Sequence, residues 1–167
     1  MAARTLNELR RQITAALNET LRKEVVDVVK KTEQKHVQQD VYDAYPEPKY
    51  PKIYSRRKED GGLQDARNMV VTEHELGVDI DNKTPFNNGY DHLNDPRYVP
   101  PPNYGNELEY LVEYGEGGHE TYHYNYPFSS LYMQPRPFIH NTVDELKQGA
   151  LRQTLIEGLR TRGIQAE

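Results

Sequence analysis

The chain contains no cysteine. Disulfides, thiolate nucleophiles and cysteine-ligated zinc are therefore excluded, and a reducing compartment fits such a composition. Tryptophan is also missing, and phenylalanine occurs three times against 13 tyrosines. Most of the aromatic ring area thus carries a hydroxyl that can stay wet, which suits protein–protein surfaces and equally suits solvent-facing strands and loops. Basic charge is not in excess: 21 Lys and Arg stand against 26 Asp and Glu, for a net charge of −5 and a pI of about 5.7. A non-specific nucleic-acid binder needs a basic footprint, so that class is disfavoured. Apolar content is 35% and mean hydropathy −0.95, low for a globule that hides its own core. No apolar run approaches membrane-spanning length, and the N-terminus lacks the unbroken hydrophobic stretch of a signal peptide. The expectation is a soluble protein made in the cytoplasm, with 167 residues forming a single domain.

What is present begins with a helix. Thr5 and Glu8 form a Thr-x-x-Glu capping box, followed by Leu6, Leu9, Ile13, Leu17, Leu21, Val25 and Val28 at helical steps on one face. If this helix runs to Gln38 it is roughly 50 Å long, more than a core of this size covers. Part of the stripe is then expected to meet another subunit, unless the helix breaks near Thr32. From Val41 to Tyr54 the text changes to Tyr42, Tyr45, Pro46, Pro48, Tyr50, Pro51 and Tyr54, which ends the helix and keeps the chain extended. Ile53 to Arg57 is a candidate strand. After Gly61-Gly62, Met69 to Thr72 and the alternation of Leu76, Val78 and Ile80 against Gly77, Asp79 and Asp81 predict two strands around a turn near Glu75. Asn82 to Thr84 closes the sheet.

Residues 85–106 are rich in Pro, Asn, Gly and Asp and read as a long loop or arm. Glu107 to Tyr114 predicts a short helix with Leu108, Leu111 and Val112 inward, and Tyr122 to Met133 an aromatic extended segment. Pro135 and Pro137 stiffen the backbone around Arg136 into a strap, with Phe138 and Ile139 just ahead of a second Thr-x-x-Glu box, Thr142 and Glu145. The last helix is expected from Val143 to about Arg162, burying Leu146, Ala150, Leu155 and Leu159, with Gly163 as its C-cap. The sum is an α+β fold. It has a long N-terminal helix (1–40), a small antiparallel sheet (41–84), a loop or arm (85–106), a short helix and strap (107–141) and a C-terminal helix (142–163). Both helices pack on the sheet, and extended Tyr/Pro-rich arms emerge from it.

One motif points to chemistry. His119-Glu120-Thr121-Tyr122-His123 matches the His-Glu-x-x-His pattern of zinc peptidases, in which both imidazoles share a helix face and the Glu polarises metal-bound water. Its surroundings oppose a helix: Gly117-Gly118 precede, Pro127 follows, and Thr and Tyr lie inside. On a strand the two histidines are roughly 13 Å apart, too far to chelate one ion. The better reading is the polar face of a Tyr-rich strand. Asp79, Asp81, Asp91 and Asp95 lack the Gly and terminal Glu of a calcium loop and read as turn acids. Arg56-Arg57-Lys58 is too short for a nucleic-acid patch and is followed at once by Glu59-Asp60. No catalytic residue, metal or cofactor is expected.

Taken in order, several strings resemble the tail-completion, or head-to-tail joining, proteins of long-tailed bacteriophages. They are the amphipathic N-terminal helix, Tyr54-Ser-Arg-Arg57, Gly61-Gly62-Leu63, Asn68-Met-Val-Val71, Asp81-Asn-Lys-Thr-Pro85, Leu111-Val-Glu-Tyr-Gly115, and Arg136-Pro137-Phe138-Ile139 before the last helix. The resemblance covers nearly the whole chain; the Pro100–Pro102 arm and the 119–126 stretch look like elaborations. It implies an α+β protomer in a homo-oligomeric ring, hexameric or twelve-fold, in the virion neck. Its partners would be a connector or stopper protein on the head side and a tail tube protein on the tail side, with no enzymatic activity and no membrane. Residues expected at interfaces are Arg136, Phe138, Ile139, Tyr132, Tyr114, Arg56 and Arg57, with Arg136 paired to an acid. Glu107, Glu109, Glu113 and Glu116 are candidate channel-facing acids that would keep passing DNA from sticking; a solvated acidic helix face is the plainer alternative. Competing functions are a zinc peptidase built on His119, Glu120 and His123, and a portal-side capsid adaptor.

Overall fold

A computed structural model describes residues 5–44, 58–85, 112–114 and 135–167. The chain opens with the expected capping box: Thr5 Oγ1 accepts from the Glu8 amide at 3.2 Å, and Glu8 Oε2 accepts from the Thr5 amide at 3.0 Å. The helix that follows runs unbroken through α1 (Leu6–Thr20), a wide π turn (Leu21–Val25), α2 (Val26–His36) and a second π stretch (Val37–Asp43). It is thus longer than expected, about 55 Å. There is no break at Thr32, whose hydroxyl donates back to Val28 O at 2.9 Å. Thr20 does the same to Ala16 O at 2.8 Å, just before the first wide turn. Such back-bonds satisfy a buried hydroxyl without a second helix and loosen the regular ladder locally.

The C-terminal helix runs antiparallel to this rod as α3 (Phe138–Glu145), a π turn (Leu146–Ala150) and α4 (Leu151–Thr161). Glu145 meets Lys35 and His36, and Arg162 meets Glu19 and Glu24. Here the sequence expectation needs correction. The helix begins at Phe138, with Pro137 as N-cap, and Thr142 lies a full turn inside it, its hydroxyl donating to Phe138 O at 2.6 Å. The second Thr-x-x-Glu box is therefore no cap. Ala150 is exposed rather than buried, because Gly149 (φ 120°) kinks the helix immediately before it. The stop was foreseen: the Gly163 amide (φ 80°) donates to Arg160 O and the Ile164 amide to Leu159 O, a Schellman cap.

The two helices touch most closely at Gly158. A Cβ placed there would lie 2.4 Å from Thr20 Cγ2, and Thr20 is wholly buried. Gly158→Ala is expected to destabilise by about 1–2 kcal/mol, the overpacking penalty less the better helix propensity of alanine. Adding Thr20→Ala should restore at least half of the loss in urea titrations; no recovery would mean the strain lies elsewhere.

The sheet is an antiparallel hairpin of β1 (Met69–His74) and β2 (Gly77–Asn82), with Met69 opposite Asn82, Val71 opposite Ile80 and Glu73 opposite Val78. Val78 and Ile80 are half-buried between exposed Asp79 and Asp81, as period two requires. Leu76 belongs to the turn and is 60% exposed, not to the buried alternation. The Arg22–Glu73 ion pair, 2.8 Å, lays the hairpin along the N-terminal rod. The α+β class holds, with two long helices and a small two-stranded sheet; the C-terminal helix packs on the N-terminal rod, not on the sheet as expected, and the candidate strand Ile53–Arg57, the 86–106 part of the arm and the Tyr122–Met133 segment lie outside the described residues. The core is compact: Val37, Val41, Tyr42, Leu63, Val112 and Phe138, with Ile139 against it. It gathers four separated stretches of chain at one end of the helix pair.

Candidate functional site

Around that core three polar assemblies fix the root from which the remaining segments leave. In the first, the Asn82 side chain is 3% exposed and uses both ends. Its Nδ2 donates to Glu33 Oε1 at 2.7 Å and to Leu63 O at 2.9 Å, while its Oδ1 accepts from the Thr84 amide and hydroxyl. Asn68 Nδ2 donates to Gly62 O at 3.0 Å and to Thr84 Oγ1 at 3.2 Å. Asp65 folds the preceding loop, accepting from the Gly61 and Arg67 amides and from the Arg67 guanidinium. The side-chain hydrogen bonds of Arg67 hold this carboxyl well below the usual carboxylate range.

Glu33 is the charged member of this knot. Burial pushes its carboxyl up, and the opposing pull of the Asn82 amide and the Lys30 charge does not reverse that. An acid raised in the folded state works against folding above its native pKa, and that penalty fades as the pH falls through it. Glu33→Gln keeps an acceptor for Asn82 and removes the charge. It should stabilise by about 1 kcal/mol near neutrality, with the gain shrinking in mild acid. Urea unfolding of both proteins at the two pH values checks this; an equal gain at both would remove the charge from the explanation.

The second assembly caps α3 from a distance. Residues 112–114 are helical, and both oxygens of Glu113 accept helix amides, Ile139 N at 2.8 Å and His140 N at 3.1 Å. These are among the amides that a helix start leaves without intrahelical partners, and a carboxylate there also meets the positive end of the helix dipole. The Arg136 amide donates to Val112 O at 2.9 Å, tying the strap to the same turn. The third is His36, whose side chain is 12% exposed: Nδ1 lies 3.0 Å from Asp40 Oδ2 and Nε2 3.0 Å from Glu145 Oε2. Asn141 also donates to Asp40, and Lys35 to Glu145, whose carboxyl this lysine holds below its ordinary value.

The structure brings together some of the residues singled out in the sequence and turns others inward. Phe138 is wholly buried in the protomer's own core and Ile139 half-buried against it, so neither is a free interface anchor. Glu113 is no solvent-facing acid of the protomer: it is 6% exposed, and both its oxygens are engaged by α3. Tyr114, 62% exposed, stays on the surface beside them, and Arg136 is half-buried at the strap. Tyr132, Arg56, Arg57, Glu107, Glu109, Glu116, His119, Glu120 and His123 lie outside the described residues. Among the described residues no cluster of three His, Asp or Glu side chains could hold a metal ion, and no helix is long and apolar enough to cross a membrane.

Sequence reading missed Glu33, His36, Asp40 and the role of Asn82. Their only signal was position: polar residues on an apolar helix face, and an Asn inside the Asp81–Pro85 string.

One further surface stands apart from the knot. The C-terminal helix is capped off where Gly158 meets Thr20 and Arg162 meets Glu19, so the first turns of α1 run on uncovered. There Leu6, Leu9 and Ile13 are 81%, 43% and 41% exposed, although they continue the stripe that is buried at Ala16 and Thr20.

These features define a class: an α+β protein on one over-long helix, with polar assemblies that hold the fold and three exposed aliphatic side chains at one tip. The chain belongs to the YomN family, whose model matches residues 5–161. It is 27% identical over 170 residues to the SPbeta prophage-derived protein YomN of Bacillus subtilis (strain 168), covering 99% of each chain. No solved structure matches. The kinship supports the bacteriophage origin expected from the sequence.

Proposed function

We propose that this chain is a structural component of the phage neck or tail, assembling as a homo-oligomeric ring that completes the tail and joins it to the head connector around the DNA channel. The observation that carries this reading is the uncovered tip of α1. Leu6, Leu9 and Ile13 are exposed on a helix long enough to have been shortened without loss to the core. Contiguous apolar surface of this kind marks an interaction site. Prophage kinship and the order of the strings that resemble tail-completion proteins support the same reading. In it the chain has no catalytic role, and its partners are a connector or stopper protein above and tail tube protein below.

The test is direct. Purified full-length protein, sized by analytical ultracentrifugation and imaged by electron microscopy, is expected to form closed rings. A phage lacking the gene should accumulate DNA-filled heads and separate tails. A monomer at every concentration, or normal virions without the gene, overturns the proposal.

A further inference from the structure

The C-terminal helix is pinned to the rod twice, and the two attachments differ in kind. α3 and the turn after it bury Phe138, Thr142 and Leu146, and Phe138 belongs to the core that also takes Val37, Val41 and Tyr42 from the rod. α4 lies on α1 and on the first π turn of the rod, and it buries only Gly158. Its apolar side chains Leu151, Leu155, Ile156 and Leu159 are half-buried, and among the described residues none of them joins the core. Its far end is held by Arg162, with Nη2 2.9 Å from Glu24 Oε1 and Nε 3.3 Å from Glu19 Oε2. A segment with so little buried apolar surface opens locally, well below the free energy of global unfolding.

Gly149 stands between the two attachments. Its φ of 120° and ψ of −9° lie outside the helical region, in a conformation that L side chains rarely adopt. A Cβ there would meet nothing within 4 Å, and Lys147, Gln148, Gly149 and Ala150 are all exposed. Among the described residues, then, nothing wedges the kink in place. The charges that pin α3, Glu145 on Lys35 and His36, fall before this glycine, and Arg162 falls after it. Rotation about one such position absorbs the backbone change that a moving segment needs.

We infer that α4 is a latch hinged at Gly149, which leaves the rod as one unit while α3 and the core stay folded. Opening uncovers Thr20, which Gly158 seals when the latch is shut, and so lengthens the bare part of α1 beyond Ile13. A rigid kink that merely follows the rod would open with the rest of the helix or not at all.

Amide hydrogen exchange of the full chain tests this. Protection factors at 155–161 should form one plateau, at least about tenfold below those of 142–146, with the step at Gly149. Arg162→Ala should lower the α4 plateau about tenfold further and leave 142–146 unchanged. Because the chain has no cysteine, Thr20→Cys with Gly158→Cys can be compared reduced and oxidised in one protein. A Cβ at 158 would lie 3.2 Å from Thr20 Cβ, a small shift from disulfide geometry. Oxidation should raise the α4 plateau to the level of α3; if no cross-link forms, the Arg162→Ala comparison decides alone. Equal protection on both sides of Gly149, or a steady gradient towards Arg162 as in end fraying, overturns the latch. So does an α4 plateau that oxidation leaves unmoved, or an α3 that falls together with α4 in Arg162→Ala.

Discussion

Asn82→Ala should destabilise the protein by about 4 kcal/mol, a large part of the stability of an ordinary domain. The side chain is the hub of the buried knot, donating to Glu33 Oε1 and Leu63 O and accepting from Thr84. Truncation strands a buried carboxylate, the Leu63 carbonyl and the Thr84 amide together, each costing about 1–3 kcal/mol when left without a partner, whereas the Thr84 hydroxyl keeps Gly62 O and Asn68. The loss should be smaller in a Glu33→Gln background, because a neutral acceptor is less costly to strand than a charged one. A double-mutant cycle by urea unfolding measures that coupling. A loss below about 1 kcal/mol for the single variant would show that water replaces the amide and that the knot is not structural.

Glu113→Ala is expected to cost about 2 kcal/mol, by leaving the Ile139 and His140 amides without acceptors at a half-buried helix start. Glu113→Gln, with one acceptor oxygen in place of two, should fall between. The loss has a local signature. Amide hydrogen exchange at Ile139 and His140 should speed up well before the middle of α1 responds, because the first turn of α3 frays while the long helix persists. Uniform acceleration would mean that the residue supports the core generally. Since Arg136 N is tied to Val112 in the same unit, the variant should also loosen the strap.

Those two residues explain why the strings that resemble tail-completion proteins lie where they do. Gly62, Leu63, Asn68, Asn82 and Thr84 meet in the knot, and Val112, Glu113, Arg136 and Phe138 meet at the root of the strap. In this chain they hold distant segments together, and the surface proposed for assembly lies elsewhere. What the strings reported was the way the protomer is built.

The contrast between the two Thr-x-x-Glu boxes locates the limit of sequence reading. Thr5 and Glu8 cap their helix because nothing competes for its first amides; the pattern is complete within four residues. Thr142 and Glu145 carry the same spacing, but Glu113, 26 positions from Ile139 in the chain, already caps the helix a turn earlier. Glu145 is drawn instead to Lys35 and His36.

The sequence by itself determined whatever depends on neighbours along the chain. That includes the α+β class, the first cap, the apolar stripe of α1, the hairpin with its turn near Glu75 and the glycine stop at Gly163, because periodicity, capping and φ > 0 are local properties of the backbone. Only the tertiary structure decided where α3 begins, which acids are buried and how much of the stripe stays bare. Those outcomes depend on which segments meet across the fold, and desolvation acts on a side chain only after a distant segment has closed over it.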